Sequence, residues 1–269
     1  MLTPYIGPQE FLDNYPEIDL TRYVPSGTPV YQAISLLSVL RRASNLSDQW
    51  CKQLLRATVD TESLSLYPTK FNTLAIWPQN RPIISLTNLQ YQYLPEDGWT
   101  VIQNLDSSQG LQIYDSYFEY MGDYFYQLSK IIVQYTYING YPIVDIVGTV
   151  AQGSSVITVS ENPVGFISGD SYSLYDGLNS ENVTIESISG TQITLSSPTI
   201  YAHSAGGYTL SGIPEPIKMA SGIIASNIIS RGINGRISVG DSDFKEQYKT
   251  DSIITQDVQT LLLPYQVNR

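Results

Sequence analysis

The sequence predicts an α+β fold: a small helical layer packed on an antiparallel β-sheet, with an inserted small β-barrel or sandwich and extended terminal arms. Three observations carry this. Apolar residues recur at helical spacing in two separate stretches, one following Thr28-Pro29 and one following Pro214-Glu215-Pro216. Between them, from about residue 57 to 140, the period falls to two. Residues 148–212 then break into short alternating runs punctuated by nine glycines, from Gly148 to Gly212.

Residues 1–27 carry Pro4, Pro8, Pro16 and Pro25 with little periodicity, which reads as an extended arm. Thr28 is a good N-cap and Pro29 suits the first helical turn. Val30, Ala33, Ile34, Leu37 and Leu40 then form one stripe. Asn45-Leu46-Ser47-Asp48 offers a second cap, followed by Trp50, Cys51, Leu54 and Leu55, so two helices in tandem are expected. Strands are expected at 62–67, 71–77, 83–93, 98–103, 111–118 and 130–138, the last being the clearest. Within 148–212, Asp176-Gly177 and Ser189-Gly190 are hairpin signals. Helix returns with Ile217, Ala220, Ser221, Ile224 and Ile228 on one face and Gly232 as its terminator. The expected organisation is an arm (1–27), a core (28–147 plus 213–231), an inserted β-domain (148–212) and a C-terminal arm (232–269).

Composition narrows the function. Charged residues make up only 14% of the 269, against about a quarter in an average domain. Ser, Thr, Asn, Gln and 21 Tyr fill the gap, a surface suited to meeting other subunits. The net charge is −11, and no Lys or Arg falls between Lys130 and Lys218, while seven acids do. Phosphate contacts draw on Lys and Arg, so tight nucleic-acid binding is not expected; DNA would slide past such a surface without sticking. No run reaches the ~18 apolar residues of a membrane span, and the N-terminus lacks the pattern of a signal peptide, so no membrane partner is expected.

Candidate chemistry is sparse. Cys51 is the single cysteine, which rules out an intramolecular disulfide and favours a buried thiol. His203 is the single histidine; with no Gly-x-Ser-x-Gly elbow, a ring bonding nearby backbone is expected rather than a catalytic triad or a zinc ligand. Asp170 with Asp176, or Glu181 with Glu186, would suit an acid–base pair, although acids favour turns in any β-protein. Asp170 through Asp176 lacks the spacing of a calcium loop, and no glycine-rich phosphate loop is present. Asn182-Val183-Thr184 matches a glycosylation sequon, inert without secretion. No enzymatic role, cofactor or metal is expected. The tyrosines and phenylalanines from Tyr114 to Tyr126 fit a subunit interface or core, with a carbohydrate platform as the alternative.

One succession points to a family. Gln134-Tyr135-Thr136-Tyr137-Ile138-Asn139-Gly140-Tyr141 would lead almost directly into Ile213-Pro214-Glu215-Pro216-Ile217-Lys218-Met219-Ala220 if 148–212 were removed. A strand ending in Tyr-x-x-Gly-Tyr followed by a helix opening on Pro-x-x-Ile-Lys-x-Ala resembles the head–tail connectors (adaptor or head-completion proteins) of tailed bacteriophages. Arg41 through Cys51 resembles the early helix of that family, Pro82-Ile83-Ile84-Ser85-Leu86 through Trp99 its central sheet, and Leu262-Leu263-Pro264-Tyr265 its C-terminal arm. The resemblance implies a structural virion protein, assembled in the host cytoplasm as a dodecameric ring at the neck. Its partners would be further copies of itself, the portal protein above, a neck or tail protein below, and genomic DNA passing through the lumen. Leu261, Leu262, Leu263, Pro264 and Tyr265 are the expected interface, three leucines and a tyrosine that would be a liability if left exposed. A virion carbohydrate-binding module is the alternative function.

Overall fold

The computed structural model describes residues 3–23, 29–94, 98–103, 105, 110–121, 125, 129–176, 179–203, 209–234 and 253–267. The fold is α+β, with three hydrophobic clusters, one helical and two built from antiparallel strands.

Helices α1 (Pro8–Asn14), α2 (Leu20–Tyr23), α3 (Pro29–Cys51), α4 (Glu215–Asn234) and α5 (Gln256–Leu262) form the first cluster. The expected break near Asn45–Asp48 does not occur; α3 is one helix. The two serines beside the expected break are satisfied within the helix instead of capping a new one: Ser44 Oγ donates to the Leu40 carbonyl and Ser47 Oγ to that of Ala43. Thr28 lies outside the described residues. The buried stripe of α3 is Leu36, Val39, Leu40, Ala43 and Cys51, whereas Ile34 is 60% exposed, so the expected stripe is rotated. On α4 the expected face holds: Ile217, Ala220, Ser221, Ile224 and Ile228 are all buried. The helix runs through Gly232 to Asn234. Ser47 and Ser221 hydroxyls meet at 3.1 Å where α3 and α4 pack.

The N-terminal residues are not an extended arm. Tyr5, Ile6 and Phe11 are buried in the helical cluster, and Glu10 on α1 pairs with the mostly buried Lys218 of α4 at 2.9 Å. Prolines there start α1 and shape its entry rather than keeping the chain apart.

The second cluster is a small sandwich. Strands β1 (Thr58–Leu66), β7 (Ile131–Asn139), β3 (Ile83–Gln92) and β4 (Thr100–Val101) form one antiparallel sheet in that order. Strands β2 (Leu74–Ile76), β6 (Phe118–Tyr120) and β5 (Leu111–Ile113) form the other. Residues 111–118, expected as one strand, split because Tyr114 to Tyr117 make the tight β5–β6 turn. Strict alternation on β7 buries Ile131, Val133, Tyr135 and Tyr137 beneath the second sheet. Inside, Glu62 accepts hydrogen bonds from the Tyr135 and Tyr137 hydroxyls, and Asp60 accepts from the Asn80 and Asn139 amides. Burial, and then Glu62, push both phenols well above the usual tyrosine range. The outer face carries Thr61 and Thr136, joined at 2.9 Å, and the hydrogen-bonded pair Gln90 and Gln134, a polar surface with little charge.

The third cluster is a six-stranded sheet in the order β8 (Ile143–Asp145), β13 (Thr209–Ser211), β10 (Ser171–Tyr175), β11 (Ser180–Ser189), β12 (Gln192–Leu195) and β9 (Val156–Thr158). It curls until its ends meet: Ile146 bridges Val159, with Val147 N donating to Thr158 O and Ser160 N to Asp145 O. Closure removes the free edges around Val144, Ile157, Leu174, Ile185, Ile193 and Leu210. The Ser189-Gly190 turn joins β11 to β12 as expected. The barrel begins at β8, before the expected boundary at Gly148, because Ile143–Asp145 pairs with β13.

All three clusters meet at residues 140–142. Gly140 N donates to Pro82 O, Tyr141 N to Leu55 O, Ala57 N to Tyr141 O and Gly212 N to Pro142 O, all within 2.9 Å. Gly140 has φ +86°, and a Cβ there would lie 2.3 Å from the Arg56 carbonyl oxygen. The barrel is thus entered and left at one point. Replacing residues 144–210 by a short Gly-Ser linker should leave a remainder that melts in one cooperative transition by calorimetry; a broad, non-cooperative unfolding would mean that the barrel is part of the main core.

Candidate functional site

The five expected interface residues separate. Helix α5 folds back on the chain's own helices, where Leu262 is fully buried and Leu261 packs against the same cluster. Cys51 Sγ lies 3.8 Å from the Leu262 carbonyl, Gln53 Nε2 donates to the Tyr265 carbonyl at 2.8 Å, and Val267 N donates to the Cys51 carbonyl at 3.0 Å. Tyr265 sets its ring edge-on to Tyr141. Only Leu263, at 62%, and Pro264 remain exposed. The segment is therefore a strap on the helical core, not an extended arm. Val258 and Leu262, four residues apart and both buried on α5, are the spacing of a short amphipathic helix, the signal in the sequence for a strap. Cys51 is buried beneath the strap, and burial followed by the Asp48 charge pushes its thiol up to about 12.

His203 is not a turn histidine bonding backbone through its ring. It is 1% exposed, with Nδ1 3.1 Å from Asp176 Oδ2 and Nε2 2.7 Å from Glu181 Oε1. Glu181 also accepts from the Ile200 and Tyr201 amides, which pins residues 196–203 across one end of the barrel. Burial alone would raise the Glu181 carboxyl, but the Ile200 amide, the His203 ring and the Tyr201 amide outweigh it and hold it below the usual range. Both ring nitrogens face carboxylates, and among the described residues no group of three or more His, Cys, Asp and Glu is placed to hold a metal ion. Asp170 and Glu186 stay exposed, so neither expected acid pair forms; Asp176 and Glu181 meet through His203 instead. The arrangement ties down a loop.

The aromatic stretch divides as well. Phe118, Tyr120 and Phe125 are core, and Tyr124 and Tyr126 lie outside the described residues. Tyr114 and Tyr117 stay on the surface and stack on each other at 4.4 Å and 14°, and Tyr117 stacks on Trp77 at 5.5 Å and 20°. This makes a ladder of three nearly parallel rings with Trp77 58% and Tyr114 42% exposed. Trp77 was expected at the end of a strand over 71–77; β2 stops before it, and Trp77 stands exposed between the buried Ile76 and Pro78. Asp115 and Ser116, the two residues between Tyr114 and Tyr117, line a groove of about 260 Å³ with Arg81 and Tyr265; the three rings themselves do not line it.

Two other features complete the surface. Strand β1 is the outermost strand of its sheet, nine residues long and without Lys, Arg or Pro. Among the described residues, no backbone hydrogen bond crosses its free side. A cleft of about 620 Å³ opens where Thr3, Arg41, Asp48 and Arg56 face Glu161 and Asn162 of the barrel. Tyr5 closes one wall, donating to Asp48 and accepting from the Arg56 amide at 3.2 Å. Thr3 Oγ1 donates to Asp145 of β8. Burial raises the Asp145 carboxyl, the Thr3 bond opposes this, Glu161 adds to it, and Arg41 and Arg56 oppose it. These charges clasp the barrel to the helices and answer one another, so the cleft presents no single sign to a ligand.

Acid should act on the two regions in opposite senses. The depressed Glu181 carboxyl contributes stability that is present above its ordinary value of 4.5 and lost as the pH falls through its folded pKa. The raised Asp48 and Asp145 carboxyls contribute stability below their ordinary value of 3.8 that is lost as the pH rises through theirs. Glu181→Gln should therefore destabilise the protein at pH 7 by about 1.5–3 kcal/mol and flatten its loss of stability below pH 4.5, read from melting temperature against pH. An unchanged pH profile would show that His203 is held by Asp176 alone. Truncation after Asp257 removes Val258, Leu262 and Val267 from the core, each buried aliphatic being worth about 1.5–3 kcal/mol. The monomer should melt markedly lower; an unaltered melting temperature would mean that the strap is dispensable to the fold.

Among the described helices, none is long and apolar enough to cross a membrane. The chain matches no model of a known protein family and no curated protein.

Proposed function

We propose that the chain is a structural subunit of a ring at the head–tail junction of a tailed bacteriophage, joining the portal to the neck or tail and letting DNA pass. The observation that carries this reading is the free side of β1. An unpaired row of backbone donors and acceptors along nine residues is a template for another strand, which soluble monomers usually blunt with Lys, Pro or short length. The charges of β1, Asp60 and Glu62, point into the sandwich and leave Val59, Thr61, Ser63 and Ser65 outward. A neighbouring copy that adds a strand there meets no charge along the sheet face. The connector-like strand and helix support the same reading, since β7 and α4 join through the two-strand stalk of the barrel and not through a remote connection. The exposed Leu263 and Pro264 at the foot of the strap are the part of the expected interface left for a neighbour. The acidic excess between Lys130 and Lys218 suits a lumen from which DNA must not be retained.

The test uses the full chain and portal-bearing heads. Light scattering and electron microscopy should show monomer or weak oligomer in dilute solution, and closed rings on the heads. Val59→Lys with Thr61→Lys should keep the melting temperature, because both side chains face outward, yet abolish ring formation. Rings that form unimpaired in this variant would remove β1 from the interface, and a chain that never associates with itself or with heads would overturn the reading.

A further inference from the structure

We propose that the ladder of Trp77, Tyr117 and Tyr114, with the adjoining groove of Arg81, Asp115 and Ser116, is a binding subsite for a neutral saccharide. The inference does not rest on the ring.

The ladder is held open. Phe118, Tyr120 and Phe125 of the same sandwich are at most 5% exposed, whereas Trp77, stacked on Tyr117, presents more than half of its surface to solvent. Stacking, the Tyr114 N to Tyr117 O hydrogen bond and the Tyr114 hydroxyl on Gln112 Oε1 at 2.6 Å fix the rings without covering their outer faces. A ligand that packs on an outer face finds it already ordered, so little entropy is lost on binding.

The groove supplies what rings lack. Asp115 and Ser116 lie between Tyr114 and Tyr117 in one turn, which the Ile83 amide anchors by donating to the Asp115 carbonyl at 3.0 Å. Arg81, two residues before Ile83, lines the same groove. Among the described residues, the side chains of Arg81, Asp115 and Ser116 make no hydrogen bond or ion pair. A guanidinium fork, a carboxylate and a hydroxyl therefore stand unspent beside an apolar platform. A pyranose ring presents that combination in reverse, with a face of C–H groups and a rim of hydroxyls that donate and accept. The groove, at about 260 Å³, is of the size of a single sugar ring and not of an extended polymer.

Charge chooses among ligands that stack. Nucleobases also pack on tyrosine and tryptophan, but their phosphates require a basic track, and the chain carries −11. Arg81 and Asp115 face the groove with opposite charge, so neither an anionic nor a cationic sugar gains from it.

Titration calorimetry and tryptophan fluorescence on the full chain provide the test, with neutral oligosaccharides of glucose, galactose and N-acetylglucosamine as probes, and a sialylated glycan and a single-stranded oligonucleotide as comparators. At least one neutral sugar should bind saturably. Trp77→Ala and Tyr114→Ala should each weaken it about tenfold, Trp77→Phe should retain most of the affinity, and Val59→Lys with Thr61→Lys should leave it unchanged. The proposal is overturned if none of the three neutral sugars binds at millimolar concentration, if a comparator binds more tightly, or if Trp77→Ala abolishes self-association without changing sugar affinity. In the last case the ladder is a protein contact.

Discussion

Four backbone hydrogen bonds at residues 140–142 decide how the rest of the molecule is arranged. The helical cluster hands the chain to β1 through Leu55, Arg56 and Ala57; the sandwich ends β7 at Asn139; the barrel starts and finishes beside Pro142. Each of these groups uses the same three residues as its anchor. The spacing is tight enough that position 140 tolerates only glycine: its φ is positive and any side chain would enter the Arg56 carbonyl. Gly165 repeats the constraint from the barrel side, where a Cβ would lie 2.6 Å from that of Ala57. The Tyr-x-x-Gly-Tyr stretch is thus a structural hub. Tyr137 reaches into the sandwich, Gly140 permits the crossing, and Tyr141 packs against Tyr265 of the strap.

Much of this was legible in the residues, and the failures share causes. Period two found β1, β3 and β7 to within a few residues: one face of β1 and of β7 is more covered than the other and exposure alternates, whereas two register shifts interrupt the alternation on β3. The α4 stripe was equally plain. The tandem helices failed because serine both caps helices and bonds back within them, and only the tertiary contact of Ser47 with Ser221 decides between these. The terminal arms failed for a different reason. Pro8 marks where α1 starts and Pro16 follows its end, but neither says whether Phe11 or Leu262 finds a cover far off in sequence. Sequence spacing is silent about contacts such as Val267 on Cys51.

The candidate sites were less legible than the fold. His203 was visible as a lone histidine, but nothing local announced that Asp176 and Glu181 would close on it from two strands. The Tyr-rich stretch was visible as composition. Its division into a core half and a surface half needed the β5–β6 turn, and the third ring of the ladder, Trp77, comes from the segment just after β2. Three carboxylates turn inward: Glu62, Asp48 and Glu181 each serve part-buried donors. That leaves an outer surface of hydroxyls, amides and rings, consistent with so few charges in so many residues.

The two-strand stalk has a consequence for the history of such a sequence. Since Gly212 returns to within one hydrogen bond of Pro142, the entropy of closing everything between them is already met by the β8–β13 pair. The body is then indifferent to the length and identity of what the stalk carries, provided that its own ends stay paired. Selection on the barrel and on the body can proceed separately: one may be enlarged, exchanged or worn down while the other keeps its residues. Kinship in a chain built this way would be found as fragments flanking a gap, with a strand and a helix that the stalk joins standing some seventy positions apart in the text.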